Sequence, residues 1–198
     1  MAARRVVIVR HANSTKPATK DIADDKVRQI TDVGKGQGLA VRKQLQDAGF
    51  KFGLALVSPV DRCRQLAEIV MGTTDCIREV AELYPPMKGD GTEDGEILGE
   101  AFGRLGYVPL AQYHKEEAAR DMLGRFGQRA SDAIVDALDD TDDDILVVNH
   151  AVCAAAIALA YSGGNYDGED AVREVNLGEC QAIVLNTSDG RILVLETC

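Results

Sequence analysis

"LALVSPVDRCRQLAEIVMG", residues 54–72, reads as a buried strand that runs straight into a helix. Leu54 to Val57 is a short, unbroken apolar run, the pattern of a parallel strand covered on both faces. Ser58 then suits a helix N-cap and Pro59 the first helical position, with Asp61 three residues after the cap. Cys63, Ala67 and Val70 recur at helical spacing until Gly72 stops the pattern. A strand feeding a helix in this way is the building unit of an α/β sheet.

Outward from this stretch the unit recurs. Residues 6–10 ("VVIVR") and 145–149 ("ILVVN") are further continuous apolar runs, each followed by helical text. "TDVGKGQGLAVRKQLQDAG", residues 31–49, places Val41, Leu45 and Ala48 on one face before Gly49. Its glycines at 34, 36 and 38 each cost a helix about 1 kcal/mol against alanine, which predicts a close approach by another segment. The alanine-rich 151–164 ends at Gly163 and Gly164, and 116–138 sets Leu123, Phe126, Ala130, Ile134 and Leu138 on one helical stripe. "CQAIVLNTSDGRILVLETC", residues 180–198, predicts a hairpin turning at Asp189-Gly190. The expected fold is α/β: a three-layer sandwich with a mostly parallel central sheet, an antiparallel edge and helices on both faces. Residues 1–198 read as one domain, with a loop-rich insertion at about 84–115 holding one short helix near 97–105.

Composition narrows the function. At 198 residues, with 45% hydrophobic and 27% charged, the chain fills one core and is short for two. A formal charge of -10 has the wrong sign for attraction to nucleic acid or an acidic membrane surface, so neither is an expected partner. No apolar run approaches the roughly 20 residues of a membrane helix, and the four apolar residues after "MAARR" are too few for a signal peptide. A cytoplasmic protein is the expectation. Cys63, Cys76, Cys153, Cys180 and Cys198 are odd in number with no CxxC pair, which predicts small core hydrophobes rather than zinc ligands or a disulfide frame.

Ligands of parallel sheets bind beyond the carboxyl ends of the strands. Arg10 and His11 stand where the first strand emerges, Arg62 in the first turn after "LALVS", and His150 where "ILVVN" emerges. Two guanidinium forks and two imidazoles at one sheet edge make a site for an oxyanion. Guanidinium binds phosphate oxygens through paired hydrogen bonds, and a neutral imidazole can attack phosphorus. The arginines should depress the histidine pKa and keep the attacking nitrogen unprotonated. An alkoxide leaving group also calls for a carboxylic acid.

At these residues the chain resembles the histidine phosphatase superfamily, which includes the cofactor-dependent phosphoglycerate mutases. Arg10-His11-Ala12 is similar to its opening motif, and Thr31, Gly34 and Gln37 to its second. Ser58-Pro59-Val60-Asp61-Arg62, with Arg64, Gln65 and Ala67 behind it, is similar to the third, and "ILVVNHA" to the fourth. Four motifs in order span residues 6–160.

The resemblance implies a phosphoglycerate mutase-like fold and a phosphatase that needs no metal or other cofactor. His11 would become phosphohistidine, Arg10 and Arg62 would clamp the phosphoryl oxygens, and His150 would complete the clamp. Asn13 would contact phosphate, and Glu82, in Val80-Ala81-Glu82, would be the general acid, with Glu93, Asp94 and Glu96 in reserve. Asn149, Ala151 and Leu66 depart from the family pattern. "AELYPP" looks like the short branch that dephosphorylates phosphohistidine on proteins. The implied substrate is a small phosphorylated metabolite or a phosphorylated protein side chain. A mutase that re-donates the group and a silent phosphate-binding module are the alternatives.

Three patterns mislead. "GKGQG" lacks the spacing of a nucleotide loop. "DGTEDG" has Thr92 at the third position and Ala101 at the twelfth of a calcium loop, where ligands belong. "DDTDDD", residues 139–144, reads as a solvated turn, and His114 as a surface or interface residue.

Overall fold

The computed structural model describes residues 4–19, 21–163 and 165–195. Gly164 and Cys198 lie outside the described residues, as do both chain ends. Among the described residues six strands form one sheet: β1 (Arg5–Arg10), β2 (Phe52–Val57), β3 (Ile77–Glu79), β4 (Asp144–Asn149), β5 (Ala182–Asn186) and β6 (Arg191–Leu195). Their order is β3-β2-β4-β1-β5-β6. The first four strands in that order run parallel, and β5 and β6 add an antiparallel edge. Gly190, at φ 64°, turns the hairpin between them, in the left-handed region that glycine enters without a Cβ penalty.

Eight helices flank the sheet among the described residues: α1 (Ile22–Lys26), α2 (Asp32–Asp47), α3 (Asp61–Met71), α4 (Glu93–Leu105), α5 (Leu110–Tyr113), α6 (Glu117–Ala137), α7 (Ala151–Ser162) and α8 (Glu169–Glu174). None is long and apolar enough to cross a membrane. Alternation along the central strands divides the core in two. Val6, Ile8, Leu54, Leu56, Ile145 and Val147 face a cluster with Leu123, Phe126, Ile134 and Ile157. Val7, Val9, Ala55, Val57, Leu146 and Val148 face the other side, with Val41, Leu45, Cys63 and Leu66. Both faces are covered, which is why these runs are apolar throughout rather than alternating.

Several local expectations need correction. Helix α3 begins at Asp61 with Val60 as its N-cap and no side-chain cap, so neither Ser58 nor Pro59 plays its expected part. The Ser58 hydroxyl is instead hydrogen-bonded to His150. Residues 84–115 carry α4 and α5, more helix than one short element near 97–105. Thr92 caps α4 by accepting from the Gly95 N–H at 3.0 Å, and Asp90 accepts from both the Thr92 N–H and hydroxyl, so a turn that looks irregular nucleates the helix. Asp144 is not solvated: it is 6% exposed and accepts from Arg5 and the Lys51 N–H. Cys63, Cys153 and Cys180 are buried, whereas Cys76 is exposed.

Candidate active site

Parallel register brings the strand ends level: Arg10 lies beside Asn149, and Val57 beside Val148. Just past them, His11, Arg62 and His150 line one cavity of about 370 Å³ together with Asp25 and Arg28. A larger groove of about 510 Å³ beside α2 and α3 has no histidine or arginine among its lining residues.

His11 continues the β1 ladder, its N–H donating to the Asn149 carbonyl at 2.9 Å. The ring is 8% exposed, and Nδ1 lies 2.8 Å from the Ala12 carbonyl. A carbonyl only accepts, so Nδ1 carries the proton and Nε2 keeps its lone pair. Burial first, then the Arg62 charge, with a smaller push from Arg10, lowers the His11 pKa to about 3. The arginines act in the expected direction, but desolvation is the larger cause.

His150 meets His11 edge-on, with ring centroids 5.3 Å apart. Its Nε2 is 3.0 Å from Ser58 Oγ, and its Nδ1 faces Arg62 Nη2 at 3.4 Å. Burial, then His11 and Arg62, hold it well below the usual imidazole range. Both rings are therefore neutral at pH 7.

Arg62 is 4% exposed on the first turn of α3, where the helix dipole disfavours a cation and an anion must compensate. Asp25 does so: its Oδ2 accepts from Arg62 Nη2 at 2.9 Å and its carbonyl from Nη1 at 2.6 Å. Its Oδ1 accepts from Arg28 Nη1 at 3.0 Å. Burial works to raise the Asp25 carboxyl, but Arg62 and Arg28 outweigh it and keep it below the usual carboxylate range. Arg10 donates from Nη1 to the Leu177 carbonyl at 2.7 Å and stacks over Tyr107, a cavity-lining residue, at 4.9 Å. The Nε atoms of both Arg10 and Arg62 are buried with no hydrogen-bond partner among the described residues.

Three residues named from the sequence are not among the cavity's lining residues: Asn13, Glu82 and Arg10, which reaches the cavity wall only through Tyr107. Asn13 spends its side chain on its neighbours, accepting from Thr31 Oγ1 at 2.7 Å and donating to Glu179 at 3.3 Å. Glu82 is exposed on a single 3-10 turn, and neither it nor Asn13 is among the cavity's lining residues. Glu93 and Asp94 line a different pocket, and Glu96 accepts from the Gly89 N–H. His114 also lies outside the cavity.

Sequence reasoning misses Asp25 and Arg28, because nothing in "DDKVR" separates a charge that turns inward from one that faces water. Asn149, a departure from the family pattern, has a structural use. Its Nδ2 donates to the Leu83 carbonyl at 2.8 Å and its Oδ1 accepts from the His150 N–H at 2.7 Å, tying the 3-10 turn to the start of α7. Apart from Lys88 and the hydroxyls of Tyr84 and Tyr107, the rest of the cavity wall is apolar, with Pro85, Met87, Leu98, Phe102 and Val152 among its residues.

A family model described as histidine phosphatase superfamily (branch 1) matches residues 6–197. Among solved structures, a mycobacterial glucosyl-3-phosphoglycerate phosphatase is similar at 17% identity and TM-score 0.64, covering 98% of both chains. A phosphoserine phosphatase from Entamoeba histolytica, solved with 3-phosphoglyceric acid, is similar at 14% identity and TM-score 0.63, covering 98% of this chain and 96% of that one. A phosphoglycerate mutase from Bacillus anthracis is similar at 15% identity and TM-score 0.62, covering 99% and 92%. A search of curated proteins finds no match.

Proposed function

Because the chain belongs to branch 1 of the histidine phosphatase superfamily, we propose that it is a phosphohydrolase working through a phosphohistidine. His11 takes the phosphoryl group from a phosphomonoester or phosphoramidate, and water then releases it. One observation carries the reading. A buried histidine with its Nδ1 proton tied to a carbonyl, and so its Nε2 lone pair free, shares a cavity with Arg62 and His150.

In the first step Nε2 attacks phosphorus in line, forming an N–P bond as the P–O or P–N bond to the leaving group breaks. Arg62 lines the cavity, and its unpartnered Nε is a buried donor that costs stability until a phosphoryl oxygen accepts from it; Arg10, with an unpartnered Nε of its own, stands behind the wall at Tyr107. His150 contributes through Arg62. Arg62 only donates, so His150 Nδ1 accepts from Arg62 Nη2 and its Nε2–H donates to the Ser58 hydroxyl, which holds the ring edge-on to His11 and orients Arg62 for the phosphoryl oxygens. Fixed donors aimed at developing charge supply most of the stabilisation in phosphoryl transfer.

The test is a trapped intermediate. Incubated with p-nitrophenyl phosphate, phosphoramidate and a phosphohistidine peptide, the wild type should yield an acid-labile phosphoryl protein and turnover. His11→Ala should lose the adduct and about 10³-fold or more of the rate. Turnover that survives in His11→Ala would sink the proposal.

A further inference from the structure

We propose that the cavity accepts monophosphate esters of apolar alcohols, and that Asp25 supplies the proton with which the alkoxide leaves; both rest on the phosphatase reading above. The first half comes from the walls. Away from the two histidines and the charged Asp25, Arg28, Arg62 and Lys88, the cavity is bounded mainly by Pro85, Met87, Leu98, Phe102 and Val152, and the hydroxyls of Tyr84 and Tyr107 are the only other side-chain oxygens lining it among the described residues. The hydroxyls of a sugar phosphate would leave water for surfaces with few groups to receive them, a large penalty per group. An apolar chain or ring gains from the same transfer. Phe102 and Tyr107, 39% and 61% exposed, meet edge to face at 5.0 Å, so aromatic surface remains open to such a group.

The second half comes from the carboxylates. Asp25 is the only one lining the cavity among the described residues, and it shares Arg62 with His150. Lys26, next to it on α1, stacks over Tyr84 at 4.8 Å and holds this segment against the apolar wall. An arriving phosphoryl dianion competes for Arg62. Asp25 thereby loses part of its cationic contact and gains an anionic neighbour, and both changes favour its protonated form. Asp25, a carboxylate in the free protein, takes a proton from solvent as the dianion seats. In the first step that proton passes to the bridging oxygen as that P–O bond breaks and the His11 N–P bond forms. In the second, the Asp25 carboxylate takes a proton from water as the water oxygen bonds to phosphorus and the N–P bond breaks. Alcohol and inorganic phosphate leave, and Asp25, protonated again by that step, returns its proton to solvent.

Three esters separate the claims. p-Nitrophenyl phosphate has a phenolate that departs unprotonated, 2-phenylethyl phosphate an apolar alkoxide that needs a proton, and glucose 6-phosphate a basic but hydroxylated leaving group. Wild-type kcat/KM should favour 2-phenylethyl phosphate over glucose 6-phosphate by at least about tenfold, a gap that Phe102→Ala narrows. Asp25→Asn should lose about 10²-fold or more in kcat on 2-phenylethyl phosphate and under about tenfold on p-nitrophenyl phosphate. Equal or better use of the sugar phosphate overturns the apolar class. Equal losses on the two apolar esters overturn the acid role and leave Asp25 a residue that positions Arg62. A loss confined to 2-phenylethyl phosphate in Glu82→Gln, absent from Asp25→Asn, moves the acid to Glu82. The acid-labile adduct formed from p-nitrophenyl phosphate reports separately on the underlying reading, which fails if wild type forms none.

Discussion

A histidine held near pKa 3 in the fold and near the ordinary imidazole value of 6.5 when unfolded makes stability depend on pH. The sign follows from proton counting. Below about pH 6.5 the unfolded chain binds a proton at His11 that the folded chain refuses, so the stabilisation is complete above that pH and drains away as pH falls toward 3. The slope approaches about 1.4 kcal/mol per pH unit for this one group, and His150, also held down, adds loss of the same sign. Urea unfolding at pH 7 and pH 5 should therefore show a larger drop for wild type than for His11→Gln. The Asp25 carboxyl, held below the usual range, loses its contribution only at lower pH and does not blur that window. An equal drop in both proteins would mean His11 is not buried neutral. His11 and His150 were legible because each ends an apolar strand, an awkward place for a polar ring. Asp25 was not, since nothing in a run of charges distinguishes the carboxylate that turns inward from those that face water.

Elements were legible where periodicity is long and failed where side-chain chemistry decides a boundary. Helix α6 follows its stripe of Leu123, Phe126, Ala130 and Ile134, all buried. Helix α3 starts late because Ser58 serves His150 rather than the helix end. The three glycines of α2, alike in sequence, differ in use. A Cβ on Gly34 would sit 2.2 Å from the Asn13 carbonyl oxygen, which is backbone and cannot move aside cheaply. That approach lets the Thr31 N–H reach the same carbonyl at 3.1 Å, seating α2 against the segment after His11. A Cβ on Gly36 would meet nothing within 4 Å. Gly34→Ala should destabilise by about 1–3 kcal/mol, from overpacking. Gly36→Ala should instead stabilise by up to about 1 kcal/mol, from helix propensity. Thermal or urea unfolding of the two variants checks both signs, and a neutral Gly34→Ala would show that the loop after β1 yields freely.

At the scale of the whole molecule, α/β layering follows from apolar runs alternating with helical text, but the strand order does not: no residue announces that β4 lies between β2 and β1. That insertion is what sets His150 beside both Arg62 and His11, so the site was legible as a set of strand ends while its internal geometry was not. Charge divides in the same way. The chain carries 22 Lys and Arg against 32 Asp and Glu, yet among the described residues Arg28, Arg62 and Lys88 line the cavity against Asp25 alone. A phosphate dianion is thus repelled by the molecule at long range and attracted only inside the cavity. Salt screens the first interaction more than the second, since the screening length shrinks from about 30 Å at 0.01 M to about 8 Å at 0.15 M while buried pairs are little affected. Raising sodium chloride over that range should leave kcat/KM for a phosphomonoester unchanged or raise it, by up to about tenfold. A steep fall instead would mean that the local cations already govern the approach at long range, and that the net charge is distributed away from the cavity mouth.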